Sequence, residues 1–115
     1  MELNSGDEFR NREKGNEMEI TSKQRAYLRS LSNNLDAIFQ IGKASLTPEM
    51  TEAINEAFSN RELIKVSVLK NCTDDPRELG EMIAERTGAV MVCTIGKKII
   101  LYKKDKENPQ IVLPR

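Results

Sequence analysis

The chain has 115 residues, room for one domain whose hydrophobic core needs no metal or disulfide staples. It is 38% hydrophobic and 31% charged, with two cysteines and no histidine. Without a histidine to activate a thiolate or complete a zinc site, thiol catalysis and zinc binding are disfavoured. No run approaches the roughly 18 apolar residues of a membrane span, and no basic-then-apolar leader opens the chain. A non-enzymatic protein of the reducing cytoplasm is expected, with no cofactor, metal, membrane or small-molecule substrate.

The 18 basic and 18 acidic residues balance, but not evenly along the chain. Residues 1–19 carry six acids and three bases, a net of −3, which leaves +3 for residues 20–115. Residues 1–18 read as a flexible acidic leader, too polar to offset the entropy of ordering. The folded domain is expected over residues 19–104. Residues 105–115 read as an extended tail, with Pro109 and Pro114 flanking an apolar patch, Ile111-Val112-Leu113, that docks on the domain.

The first helix is predicted from Ser22 to Asn33, opened by a capping box of Thr21 and Gln24. Its apolar stripe is Ala26 or Tyr27, then Leu28, Leu31 and Leu35, so Lys23, Arg25 and Arg29 fall on the exposed side. Ala37 to Ile41 is short, apolar and β-branched, a first strand. Gly42 to Leu46 is a loop. Thr47-Pro48 opens a second helix that buries Met50, Ala53, Ile54, Ala57 and Phe58 and ends near Asn60. A second strand covers Glu62 to Leu69, with Ile64, Val66 and Val68 on one face. Asp75-Pro76-Arg77-Glu78 forms another capping box, opening a third helix that buries Leu79, Met82 and Ile83 and stops at Gly88. Ala89 to Ile95 is a third strand, Gly96-Lys97 a tight turn, and Lys98 to Lys103 a fourth. The order αβαβαββ predicts one α/β (α+β) domain with a four-stranded mixed sheet, in a two-layer or thinly covered sandwich.

Catalytic candidates are few. Asp75 of the Asp74-Asp75 pair is accounted for as a helix cap, and no phosphate-binding nucleotide loop occurs. Cys93, inside an apolar run, reads as a small buried hydrophobe, and Cys72, in a polar loop, as a free thiol. The informative segment is Ile41-Gly42-Lys43, where a glycine allows close approach and a lysine beside free amides suits a phosphate. Taken alone it is more simply a βα turn with a solvated lysine. Lys97-Lys98 and Lys103-Lys104 bracket the last strand, as RNA contacts or as protection of a sheet edge. Tyr27, Phe39 and Phe58 read as core, which points to phosphate contact rather than base stacking for any bound RNA.

Five segments carry a resemblance: Thr21-Ser22-Lys23-Gln24-Arg25-Ala26-Tyr27-Leu28-Arg29; Ile41-Gly42-Lys43; Arg61-Glu62-Leu63-Ile64-Lys65-Val66; Thr87-Gly88-Ala89; and Ile95-Gly96-Lys97-Lys98-Ile99-Ile100-Leu101-Tyr102, followed by Ile111-Val112-Leu113-Pro114. The succession resembles the YhbY-like proteins, the stand-alone bacterial form of the CRM RNA-binding domain, over about residues 19–114. The resemblance implies a fold similar to the C-terminal domain of translation initiation factor three. It also implies association with precursors of the large ribosomal subunit. The family's Gly-Lys-x-Gly loop falls on Gly42 and Lys43, with Ser45 in place of the second glycine. The expected RNA-binding residues are therefore Gly42, Lys43, Ser45, Lys23, Arg25, Arg29, Lys97 and Lys98. The partner is structured RNA, expected to be ribosomal RNA or a pre-large-subunit particle, and the protein is expected to act as a monomer. The alternative is a protein-interaction module using the tail patch and the leader.

Overall fold

A computed structural model describes residues 19–115; the acidic leader predicted for residues 1–18 lies outside them. The helices are α1 (Ser22–Ser32), α2 (Pro48–Ala57) and α3 (Pro76–Thr87). The strands are β1 (Phe39–Ile41), β2 (Leu63–Val68), β3 (Val90–Ile95) and β4 (Lys98–Tyr102). The αβαβαββ order and the mixed four-stranded sheet are those read from the sequence. The sheet order is β1-β2-β4-β3, with β1 parallel to β2 and β4 antiparallel to both β2 and β3. The last strand thus enters the middle of the sheet and leaves β3 at an edge. Its run Ile99-Ile100-Leu101-Tyr102 is buried throughout, as a central strand covered on both faces must be.

Alternation along the strands divides the core in two. Ile41, Ile64, Val66, Val68, Ile99 and Leu101 face α2 and α3, where they meet Ile54, Phe58, Leu79 and Ile83. Leu63, Val92, Ile100 and Tyr102 face α1 and meet Leu28, with Ile111 and Leu113 of the tail packed alongside. Both faces are therefore covered, α1 plus tail on one and α2 plus α3 on the other. The α1 side is the thinly covered face, a single helix supplemented by the apolar residues of the tail. Gly80 sets the spacing of α3 on the sheet. A Cβ there would come within 2.8 Å of Met91 Cγ and 2.9 Å of Ile99 Cγ2.

Several local expectations are corrected. Thr21 forms the predicted capping box and Thr47 caps α2, but Asp75 occupies its N-cap without a side-chain bond. Pro76 at the first helical position and the left-handed Gly88 at the C-cap bound α3 instead. Tyr27 and Met82 are exposed, because α1 and α3 each bury a narrower stripe than their apolar residues would allow. Cys72 is buried in the core on the α2–α3 side, while Cys93 is half-exposed beside α1. The chain after β2 folds inward, with the Cys72 N–H donating to the Leu69 carbonyl at 3.0 Å.

The tail is docked through Glu62, a carboxylate only 4% exposed. Its Oε2 accepts from the Asp105 N–H at 2.8 Å, and its Oε1 from the N–H groups of Gln110 and Ile111 at 2.8 and 2.7 Å. Gln24 Nε2 donates to the Pro114 carbonyl at 3.0 Å and ties the end of the tail to α1. Tyr102 lies under this segment, and burial, with the Glu62 charge second, pushes its phenol up. Replacing Glu62 by glutamine presents an NH2 group to backbone donors. Glu62→Gln is expected to cost about 1–3 kcal/mol. Amide exchange at Asp105, Gln110 and Ile111 should rise before exchange in the sheet does.

Candidate functional site

Strands β1 and β2 run side by side, with Ile41 level with Val68, so both chains leave the sheet at the same end. The Leu69 N–H donates to the Ile41 carbonyl at 2.8 Å and extends the pairing into the loops. The β3–β4 hairpin turns at this end too, since the Val68 N–H donates to the Lys97 carbonyl at 2.7 Å. Three connections converge there: residues 42–47, residues 69–75 and the Gly96-Lys97 turn. Each of the first two leads into a helix N-terminus, where free amides favour anions.

The Gly42 loop is a closed turn. The Ser45 N–H donates to the Gly42 carbonyl at 2.9 Å, which leaves Lys43 and Ala44 at the corner, both exposed. Gly42 passes beneath the next loop, where a Cβ would lie 3.3 Å from Asn71 Oδ1. Ser45 has φ 59°, the left-handed region that glycine enters freely and other residues seldom do. The serine therefore stands in a backbone conformation that a glycine would enter freely. Its hydroxyl donates to Asp74 Oδ2 across the two loops. With its N–H and O–H both engaged, Ser45 is placed as a shaper of the turn.

The other expected residues separate into groups. Lys97 is exposed at the hairpin tip, and Lys98, beside Ser67 in register, reaches the Ser67 hydroxyl with its Nζ at 3.2 Å on the α1 side of the sheet. Lys70, which the sequence reading passed over, follows β2 at the same end and is exposed. Nothing local marks it, because it joins this end only through the parallel pairing of β2 with β1. Arg29 is exposed on α1 and close enough to Cys93 to act on its thiol. Lys23 lies at the start of α1, two turns from Arg29 and next to the Gln24 that holds the tail, so it is not gathered with the loop lysines.

Arg25 departs most from expectation. The helical stripe predicts it on the exposed side, yet its Nη1 donates to the Met91 carbonyl at 2.9 Å and also to the Val92 carbonyl. The register of β3 against β4 shifts between Met91 and Cys93, a bulge that leaves main-chain acceptors on an edge strand. Arg25 covers them. Arg25→Ala is expected to lower stability by about 1–2 kcal/mol, read as a fall in the thermal midpoint.

Charge is divided by the sheet. Helix α1 contains Lys23, Arg25 and Arg29 and no acid. Helix α2 contains Glu49, Glu52 and Glu56 and no base, and α3 adds Glu78, Glu81 and Glu85 against Arg77 and Arg86. The α1 side is basic and the α2–α3 side is acidic, while the loop end is mixed, with Lys43, Lys70 and Lys97 beside Asp74 and Asp75. A groove of about 610 Å³ between β1 and α2, lined by Ile38, Phe39, Glu56 and Arg61 among others, includes none of the converging loops. Among the described residues, no three cysteine or acidic side chains converge as metal ligands would. Burial pushes the Cys93 thiol up, and the charges of Arg29 and Arg25 offset only part of that. Because thiolate is the reactive form, alkylation of Cys93 in the native protein should still accelerate above pH 9. Cys72 should react only on unfolding.

An α/β domain with three helices and a four-stranded mixed sheet is the architecture to which the comparisons also point. The family model described as the CRS1 / YhbY (CRM) domain matches residues 20–103. The chain belongs to that family. It is 46% identical over 95 residues to the "Probable RNA-binding protein YqeI" of Bacillus subtilis, covering 83% of this chain and 99% of the relative. It is 31% identical over 96 residues to an "RNA-binding protein" of Haemophilus influenzae, covering 84% and 96%. Among solved structures it is similar to the hypothetical protein SAV1595 of Staphylococcus aureus. That likeness has a TM-score of 0.72 at 48% identity and covers 84% of this chain and all of that one.

Proposed function

We propose that this protein binds structured RNA through the loop end of its sheet and the adjoining α1 side, and that the RNA is ribosomal, within precursors of the large subunit. The observation that carries the reading is the convergence of Lys43, Lys70, Lys97 and Lys98 around a closed glycine turn, with acidic residues gathered on the opposite layer. Phosphates are attracted to these lysines and to α1 and repelled by the glutamates of α2 and α3, which favours one orientation of the domain on RNA. Membership of the CRM family and the RNA-binding names of its relatives support the partner class. Assignment to ribosomal precursors follows the family resemblance. In this reading the protein acts in the cytoplasm, as a monomer, and by binding rather than by catalysis.

A docking role through the tail is disfavoured by the packing. Ile111 and Leu113 turn inward against the α1-side core, and only Val112 is left exposed. The apolar patch that made this segment a natural partner surface is spent within the chain.

Four phosphates neutralised by four lysines predict a log–log salt slope of about −3 to −4. Binding of a labelled large-subunit RNA fragment, titrated at several salt concentrations, measures it. Lys43→Ala is expected to weaken binding roughly threefold to tenfold and to reduce the slope by about one, with the thermal midpoint unchanged. A flat salt response, or full affinity in Lys43→Ala, would overturn the assignment.

A further inference from the structure

We propose that Asp74 is a positioning residue for RNA binding, which holds the Gly42–Ser45 turn in the shape that presents Lys43. The inference rests on the RNA-binding reading of that turn. It starts from the one place where the loop departs from a glycine-bracketed pattern. Ser45 keeps a left-handed backbone with φ 59°, a conformation disfavoured for a residue with a Cβ and stabilised where neighbouring groups hold it. Support comes from across the sheet end, where Asp74 accepts the Ser45 hydroxyl proton. The turn is then fixed at two points of the β2–α3 loop: Gly42 abuts Asn71, and Ser45 is bonded to Asp74. Lys43 and Ala44 project between these two anchors.

Asp74 acts in two opposed ways. Its acceptor oxygen steadies the turn, and its negative charge disfavours a phosphate nearby. Chemistry separates the two, because asparagine keeps an acceptor oxygen and loses the charge. Glycine at position 45 removes the need for the bond altogether, since it enters the left-handed region without strain.

The test is a cycle of Asp74→Ala, Asp74→Asn and Ser45→Gly in the full chain. It is read by binding of a labelled large-subunit RNA fragment and, without RNA, by exchange of the Ser45 amide that donates to Gly42. Asp74→Ala alone is expected to weaken binding about threefold or more and to speed that exchange by a similar factor. Asp74→Asn should bind at least as well as the unaltered protein, with the amide still protected. With Ser45→Gly already present, Asp74→Ala should no longer weaken binding and should tighten it through the lost charge. Equal weakening by Asp74→Ala in both backgrounds, or tightening in both, would overturn the proposal. So would faster exchange with unchanged affinity, which would leave Asp74 as a staple of the loop only. Lys43→Ala runs in parallel. If it too has no effect on affinity, the RNA-binding reading of the turn fails along with the proposal. If it weakens binding while the cycle comes out additive, only the positioning role of Asp74 fails.

Discussion

The parallel pairing of β1 with β2 is the constraint from which the arrangement of the site follows. It spans only three residues, Phe39 to Ile41 against Val66 to Val68. Because side chains alternate, this register puts Phe39 and Ile41 on the same face as Val66 and Val68, toward α2 and α3. A slip of one residue would turn Ile41 to the opposite face and place Gln40 in the core. The hydrophobic pattern therefore fixes the register, and the register brings Gly42 level with Leu69 and Asn71. The turn that carries Lys43 is located by core packing. Its own polar residues only shape it.

The same alternation explains the electrostatics. Since both faces of β2 and β4 are buried, each needs cover, and the two covers differ in charge. Helix α1 has only cations among its charged residues, while α2 has only anions. The sheet between them keeps these populations on opposite sides of a low-dielectric layer. The small positive balance of residues 20–115 thus becomes a polarised surface. The tail completes the α1 side at the cost of burying a carboxylate, which is tolerable because Glu62 gathers three backbone donors.

Most of the fold was legible because its signals are local and periodic. The capping box at Thr21, the Thr47-Pro48 helix start, the left-handed Gly88 and the Gly96 turn all stand where the residues demand. Apart from the cap bond that Asp75 does not make, the misreadings are matters of tertiary context. Periodicity marks Tyr27 and Met82 as apolar but does not state how wide a stripe the sheet can cover. Cys72 sits among polar neighbours in sequence and among core side chains in space. Of the candidate site, the turn itself was legible, because Gly42 and Lys43 are adjacent in the chain. The extent of the site was not legible, because Lys70 joins only through strand pairing and Lys23 is separated only by the direction of α1.

Arg25 and Ser45 show why a basic or polar residue in a suggestive motif does not define its own role. A guanidinium has five donors and goes where acceptors are unmet. The bulge at Val92 leaves such acceptors on an edge strand, within reach of Arg25, which the helical pattern assigns to solvent. A serine hydroxyl has one proton to give, and Asp74 takes it. In both cases the competing partner lies far along the chain, 66 residues for Met91 and 29 for Asp74. A cation or hydroxyl is free for a phosphate only after the protein's own acceptors have been satisfied. By that criterion Lys43 and Lys97, exposed at the tips of closed turns, are better placed than Arg25 to meet RNA.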